Sequence, residues 1–225
     1  MTTLKVIHIE PTNKCQLSCS CCGDNKTRPI GFMGVADYHK IASQVCEMNM
    51  RAGIRLFLSG DPLLHPKIDE ICKLTKSMGL DDTVIHTNGY ALSEDLSERL
   101  VVSGLQRISF SLDSYHIAKN DKGRMMGWTP AKNVKKFIEI NQKHNSPVHV
   151  TIQAILSKGW SENSYKSVCK QHFDGADRMY VIRPHSWDRK GRVEGAFRSN
   201  VGVCKFLVIE QLFVGMGMQW FAAPI

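Results

Sequence analysis

The sequence has no uninterrupted apolar run long enough to cross a bilayer. Its most apolar stretch, from Phe206 to the end, is broken by Glu210, Gln211 and Gln219, and a charge with two amides in one span argues against a membrane helix. The first ten residues, MTTLKVIHIE, have no basic segment followed by a long apolar one, so no secretory signal is read there. Low-complexity tracts and fixed-period repeats are absent, which excludes solenoid and fibrous architectures. There is no basic run with interleaved aromatics either. The densest basic group, Arg183, Arg189, Lys190, Arg192 and Arg198, is interrupted by apolar and acidic residues, so nucleic acid is not an expected partner. The net charge of +8 reads first as a solvated basic surface and second as an affinity for anionic partners.

What remains is a globular composition, 43% hydrophobic and 22% charged over 225 residues, enough for one substantial domain and a short extension. A cytoplasmic setting is expected. Cysteines there are usually reduced, and clustered ones bind metal more often than they form disulfides.

Short β-branched runs alternate with amphipathic segments. The runs cover residues 4–9, 54–58, 83–86, 107–112, 147–156 and 178–182. The helical segments cover 37–51, 66–78, 93–102, 130–144 and 161–172. Apolar residues recur at helical spacing in them, for example Ile68, Ile71 and Leu74. Thr129 followed by Pro130 makes a good helix start. This alternation predicts an α/β fold, a parallel sheet with helices outside. Six units are too few for the closed eight-stranded barrel, so a partial (β/α)6 barrel is expected over residues 1–190. Residues 191–225 break the rhythm and read as a C-terminal extension. In such a fold the functional residues sit where strands end and loops begin.

Eight cysteines occur, at 15, 19, 21, 22, 46, 72, 169 and 204. Four fall within eight residues, where even scatter predicts roughly 0.3. Cys15, Cys19 and Cys22 are spaced Cys-x3-Cys-x2-Cys directly after the first strand. Three thiolates on one loop suit an iron–sulfur cluster or zinc, and three ligands leave one iron of a four-iron cube open. Spacing prefers Cys22 to Cys21 as the third ligand. The alternative is zinc, with Cys21 as fourth ligand, although adjacent cysteines face one tetrahedral ion awkwardly.

The triplet resembles the signature of the radical S-adenosylmethionine (radical SAM) superfamily. Later strand ends carry further likenesses. Ser59-Gly60-Asp61-Pro62 is similar to the family's Gly-Gly-Glu-Pro motif, with serine for the first glycine and aspartate for the glutamate. His86-Thr87-Asn88-Gly89 is similar to the Thr-Asn-Gly found after the third strand, and Ser111-Leu112-Asp113 to a Ser-x-Asp after the fourth. Lys122-Gly123-Arg124 lies where relatives carry a basic residue. The resemblance implies a 4Fe-4S cluster on Cys15, Cys19 and Cys22. It also implies S-adenosyl-L-methionine contacted by Ser59, Gly60, Asp61, Asn88, Ser111, Asp113 and Arg124. Gln153 and Arg183 are lesser candidates to line the cavity. His65 and His86 read as satisfied polar residues near the mouth.

The segment around Val203-Cys204-Lys205-Phe206 resembles the entry to the SPASM/twitch-type extension of one branch of the superfamily, here without its further cysteines. Cys204 is expected to be a plain thiol, or the sequence a truncation. The expected reaction is reductive cleavage of S-adenosylmethionine, giving a radical that takes hydrogen from a substrate. A peptide or protein substrate is favoured over a small molecule, and an electron donor such as flavodoxin or ferredoxin is implied. The alternative classes are a non-catalytic zinc module associated with nucleic acid, and an inactive cluster-binding fragment.

Overall fold

The computed structural model describes residues 6–17, 29–47, 52–113, 129–156 and 160–182, and the backbone of 207–211 and 220–224. Six strands run parallel in chain order: β1 (Val6–Ile9), β2 (Gly53–Arg55), β3 (Thr83–Thr87), β4 (Arg107–Ser111), β5 (His149–Ile155) and β6 (Arg178–Ile182). Between them lie α1 (Val35–Glu47), α2 (Ile68–Ser77), α3 (Glu94–Val101), α4 (Thr129–Lys143) and α5 (Glu162–His172). This is the expected α/β arrangement of a partial barrel. The sheet also extends past β1. There β7 (Leu207–Gln211) pairs parallel to β1 and β8 (Trp220–Pro224) pairs antiparallel to β7, giving the order β6-β5-β4-β3-β2-β1-β7-β8. Strand periodicity in the sequence points only as far as β6, and β7 joins the opposite edge of the sheet, beside β1. Among the described residues no helix is long and apolar enough to cross a membrane.

The two faces of the sheet differ, because alternate residues of a strand point to opposite sides. The outer set is apolar: Ile7, Ile9, Ile54, Leu56, Ile85, Ile108, Phe110, Val150, Ile152 and Ala154 are all buried. The helices cover this face with stripes at helical spacing, such as Ile68, Ile71, Cys72 and Thr75 on α2, and Val134, Phe137, Ile138 and Asn141 on α4. The apolar residues among these belong to one continuous core. The inner set is polar, with His8, His86, Ser109, Ser111, Gln153 and Tyr180 in phase across neighbouring strands. His86 on β3 reaches Gln153 on β5 across the intervening strand, at 3.1 Å. Strands two apart are separated by about 9–10 Å, so these two side chains lean toward each other over β4.

Local signals set the helix ends. Ser93 caps α3 by accepting from Leu96 N–H, and Ser161 forms a capping box with Ser164 on α5. α1 begins two residues before its expected start, with Tyr38 N–H bonding to Gly34 O. An unexpected 3-10 turn, Pro62–Leu64, precedes α2, and Asp61 is its N-cap.

The α4–β5 connection is closed by one buried side chain. Asn141 donates to Val148 O at 2.8 Å and accepts from Val148 N–H at 3.1 Å. It ties down a turn in which Asn145 and Ser146 adopt positive φ. Asn141→Ala strands both backbone groups of Val148, which is fully buried. The expected cost is about 2–4 kcal/mol, read as a lower urea midpoint with an unchanged slope.

Candidate functional site at the strand C-termini

The loops after β1, β2 and β3 meet at one end of the sheet. The first carries the cysteine triplet, and its stem is pinched shut. Thr12 bridges Phe32, Met33 N–H bonds to Pro11 O at 2.8 Å, and Asn13 bonds both Pro29 O and Gly31 N–H. Cys15 lies just past this stem and is partly exposed. Its sulfur accepts from Leu17 N–H at 3.4 Å and from Asn88 Nδ2 at 3.7 Å. Two N–H donors favour a thiolate at this atom, the form that ligates metal. Cys19, Cys21 and Cys22 lie outside the described residues, as do Arg124, Arg183 and Cys204.

The second loop packs against that stem. Glu10, only 8% exposed, accepts from Ser59 N–H at 2.6 Å and Gly60 N–H at 3.0 Å. Asp61 N–H donates to Lys14 O at 2.8 Å. Gly60 is needed for this approach, because a Cβ there would overlap Thr12 O and lie 2.7 Å from Asn13 Cα.

Asp61 then joins the second loop to the third. Its carboxylate accepts from Leu63 N–H at 3.0 Å, from the Thr87 hydroxyl at 2.8 and 2.9 Å, and from Asn88 N–H at 3.1 Å. Burial pushes its pKa above the ordinary carboxylate value, and these donors pull against the rise. Asn88 completes the circuit by accepting from Gln16 Nε2 at 2.8 Å.

Farther round the sheet, Asp113 accepts from Ile155 N–H at 2.7 Å and from Ser111 Oγ at 3.3 Å, linking the ends of β4 and β5. On the polar face the hydroxyls of Tyr180 and Ser109 donate to Gln153 Oε1, and Gln153 Nε2 meets His86 Nε2. Phe57 makes ring contacts with both His8 and His86. Burial lowers the His86 pKa to about 4, so its imidazole is neutral at pH 7. His65 bonds Met33 O at 2.8 Å and accepts from Lys67 N–H, the satisfied role expected of it.

At the opposite end of the strands, Asp82 pairs with Arg55 at 3.1 Å and with Arg107. Burial alone raises the Asp82 pKa, but the two guanidinium groups hold it below its ordinary value. A guanidinium–carboxylate cluster thus closes the end away from the cysteine loop.

Ser59, Gly60, Asp61 and Asn88 therefore stand together against the Cys15 segment, whereas Ser111 and Asp113 stand on the β4–β5 side. Sequence reasoning missed Glu10, Gln16 and Thr87. Glu10 left one signal: an acidic residue in phase with the polar strand face, directly ahead of a cysteine loop.

Two predictions follow from these contacts. Gly60→Ala is expected to cost about 1–3 kcal/mol through overpacking and to speed alkylation of Cys15, measured by peptide mass spectrometry. The pKa values of His8, His65 and His86 are all lowered, first by burial. The unfolded chain thus binds more protons below its ordinary histidine pKa of about 6.5. Stability is then complete above that pH and falls as the pH drops toward the folded value of about 4 for His86. His86→Gln is expected to flatten the fall in urea midpoint across that window.

Known proteins resemble this chain both in sequence and in fold. GTP 3',8-cyclase of Synechococcus sp. (strain CC9902) is 30% identical over 132 residues, 57% of this chain and 38% of that protein. GTP 3',8-cyclase of Chlorobaculum tepidum is 33% identical over 50% of this chain and 34% of that protein. The chain thus spans little more than a third of the length of these curated relatives. Among solved structures, "Native anSMEcpe with bound AdoMet and Kp18Cys peptide" superposes with a TM-score of 0.59 at 13% identity, covering 87% of this chain and 56% of that one. "Crystal structure of BtrN in complex with AdoMet and 2-DOIA" gives 0.51 at 17% identity, over 81% of this chain and 70% of that one. At such identities these two likenesses speak for the fold. Residues 9–171, well over half of the chain and inclusive of the cysteine loop, match the model of the Radical SAM superfamily, and the chain belongs to that superfamily.

Proposed function

We propose that this protein is a radical S-adenosylmethionine enzyme in which Cys15, Cys19 and Cys22 hold a 4Fe-4S cluster. The observation that carries the reading is Cys15 itself: a partly exposed sulfur at the strand C-termini, receiving N–H bonds from Leu17 and Asn88. Soft thiolates with an open fourth position are the donor set such a cluster takes, and the family match favours it over zinc.

A cluster held by Cys15, Cys19 and Cys22 would supply the one-electron reduction that cleaves S-adenosylmethionine and so starts hydrogen abstraction from a substrate. The chain's own residues bind, orient and exclude water. Glu10, Gly60 and Asp61 fix the height of the cysteine loop above the sheet. Ser59 and Gly60 offer backbone carbonyls to the amino group of the cofactor. Ser111 and Asp113 face its ribose or amino-acid portion, and Arg124 pairs its carboxylate. The polar face around His86, Gln153 and Tyr180, where Arg178 lies over the Tyr180 ring, is the surface a substrate meets.

A peptide or protein is the leading substrate, supported by the likeness of residues 203–217 to a branch that contains peptide-modifying maturases. The relatives named GTP 3',8-cyclase favour a second reading, a nucleotide. The net charge of +8 suits an acidic electron-transfer protein, a flavodoxin or ferredoxin, as donor. The setting proposed is the cytoplasm.

The test is anaerobic purification, reconstitution with iron and sulfide, then addition of dithionite and S-adenosylmethionine. 5'-Deoxyadenosine is expected by chromatography from the wild type and not from a Cys15→Ala, Cys19→Ala, Cys22→Ala variant. Zinc without iron uptake overturns the proposal. Adding GTP or short peptides and watching for faster turnover separates the two substrate readings.

A further inference from the structure

Asn88 makes more contacts than a turn residue needs. It directly follows β3, and its backbone N–H is held by Asp61. Gly89, at φ +77°, turns the chain, and Asn133 Nδ2 holds the turn from α4 by donating to Gly89 O at 3.0 Å. Within this fixed frame Asn88 Oδ1 accepts from Tyr90 N–H at 3.0 Å and from Gln16 Nε2 at 2.8 Å. A backbone N–H is only ever a donor, so the bond from Tyr90 decides which end of the amide is oxygen. The other end, Nδ2, therefore carries the protons, and it is the end that meets Cys15 Sγ at 3.7 Å.

We infer that Asn88 is a positioning residue for Cys15, whose side-chain N–H bonds the ligating sulfur and raises the reduction potential of a cluster held there. The inference rests on the function proposed above and assigns Asn88 to the cysteine sulfur rather than to S-adenosylmethionine. The physical reason is charge. One-electron reduction adds negative charge to the cluster and its thiolates, and a donor aimed at a ligating sulfur stabilises the reduced form more than the oxidised one. Leu17 N–H does the same from the backbone, where side-chain exchanges other than to proline leave it in place. Asn88 thus gives this sulfur a donor that a side-chain substitution can remove. Gln16, next to Cys15 in the chain, clamps the amide from the other side, so that the donor moves with the loop it serves.

Two variants separate this role from a structural one. Asn88→Asp keeps an oxygen for Tyr90 N–H and Gln16 but replaces the donor by an anionic acceptor. Asn88→Ala removes the side-chain bonds altogether. Each protein is reconstituted without S-adenosylmethionine. Its midpoint potential is read by redox titration with electron paramagnetic resonance, and its folding by thermal unfolding. The expected result is a more negative midpoint in Asn88→Ala than in wild type and a further negative shift in Asn88→Asp, which unfolds at the wild-type temperature. Loss of the cluster from a folded Asn88→Asp, with a lowered midpoint in Asn88→Ala, supports the inference equally. A midpoint in Asn88→Ala equal to wild type overturns it, as does an Asn88→Asp midpoint no lower than that of Asn88→Ala. A wild-type protein that takes up no iron overturns the proposed function and this inference together, which tells the two failures apart.

Discussion

Glu10 is a carboxylate buried to 8% exposure between two loops. Taking such a group out of water costs several kcal/mol unless donors replace the lost hydration. The replacements are two consecutive backbone N–H groups, of Ser59 and Gly60, at 2.6 and 3.0 Å. A charged acceptor makes these bonds stronger than neutral ones, and they hold the loop after β2 against the loop after β1. Three further links depend on that contact. Gly60 comes close enough to Thr12 and Asn13 to leave no room for a side chain. Asp61 N–H then meets Lys14 O, while its carboxylate reaches Thr87 and Asn88. Asn88 returns to Gln16 and Cys15. The contacts form a closed ring through β1, β2 and β3, and the cysteine loop hangs from it.

The sheet explains why such a ring is needed. A parallel sheet covered on both faces is usually apolar throughout. Here the inner face carries His86, Ser109, Gln153 and Tyr180 in a hydrogen-bonded set. A polar face contributes little hydrophobic stabilisation, so the strands are held by their outer residues and the helices over them. At the mouth, Met33 and Leu63 reach the apolar core, and charge-assisted bonds such as those of Glu10 and Asp61 fix the loops to one another. Rigidity at the mouth and polarity in the lumen are thus two consequences of leaving the inner face free of a hydrophobic core.

The architecture was legible because it depends on periodicity, which the outer face and the helices carry plainly. Ile68, Ile71 and Leu74 read as a helix whatever surrounds them, and the β-branched run at 178–182 read as a strand. β7 and β8 were not legible, since they join the sheet at the β1 edge, out of the chain order that β1 to β6 follow. Of the candidate site, the cysteine loop and the three strand-end motifs were legible as residue types at given positions. Their partners were not. Nothing in sequence spacing pairs Glu10 with residue 59, or Asn88 with residue 15. Those contacts are separated by 49 and 73 positions, and only the parallel register brings them together.

The aspartate at position 61 shows why a motif and its geometry must be read together. The family pattern has glutamate there, one methylene longer. An aspartate is the better N-cap, because its short side chain folds back to a backbone N–H two residues on. Asp61 does this with Leu63, starting the 3-10 turn that leads into α2. The same carboxylate spans to Thr87 and Asn88. A longer side chain moves the carboxylate away from its own cap position and toward the mouth. The shorter residue is therefore matched to bracing, and Thr87 is its counterpart. The serine at 59 fits the same account. Its backbone N–H, rather than its side chain, is what Glu10 holds, so that contact tolerates a side chain at 59 but none at 60.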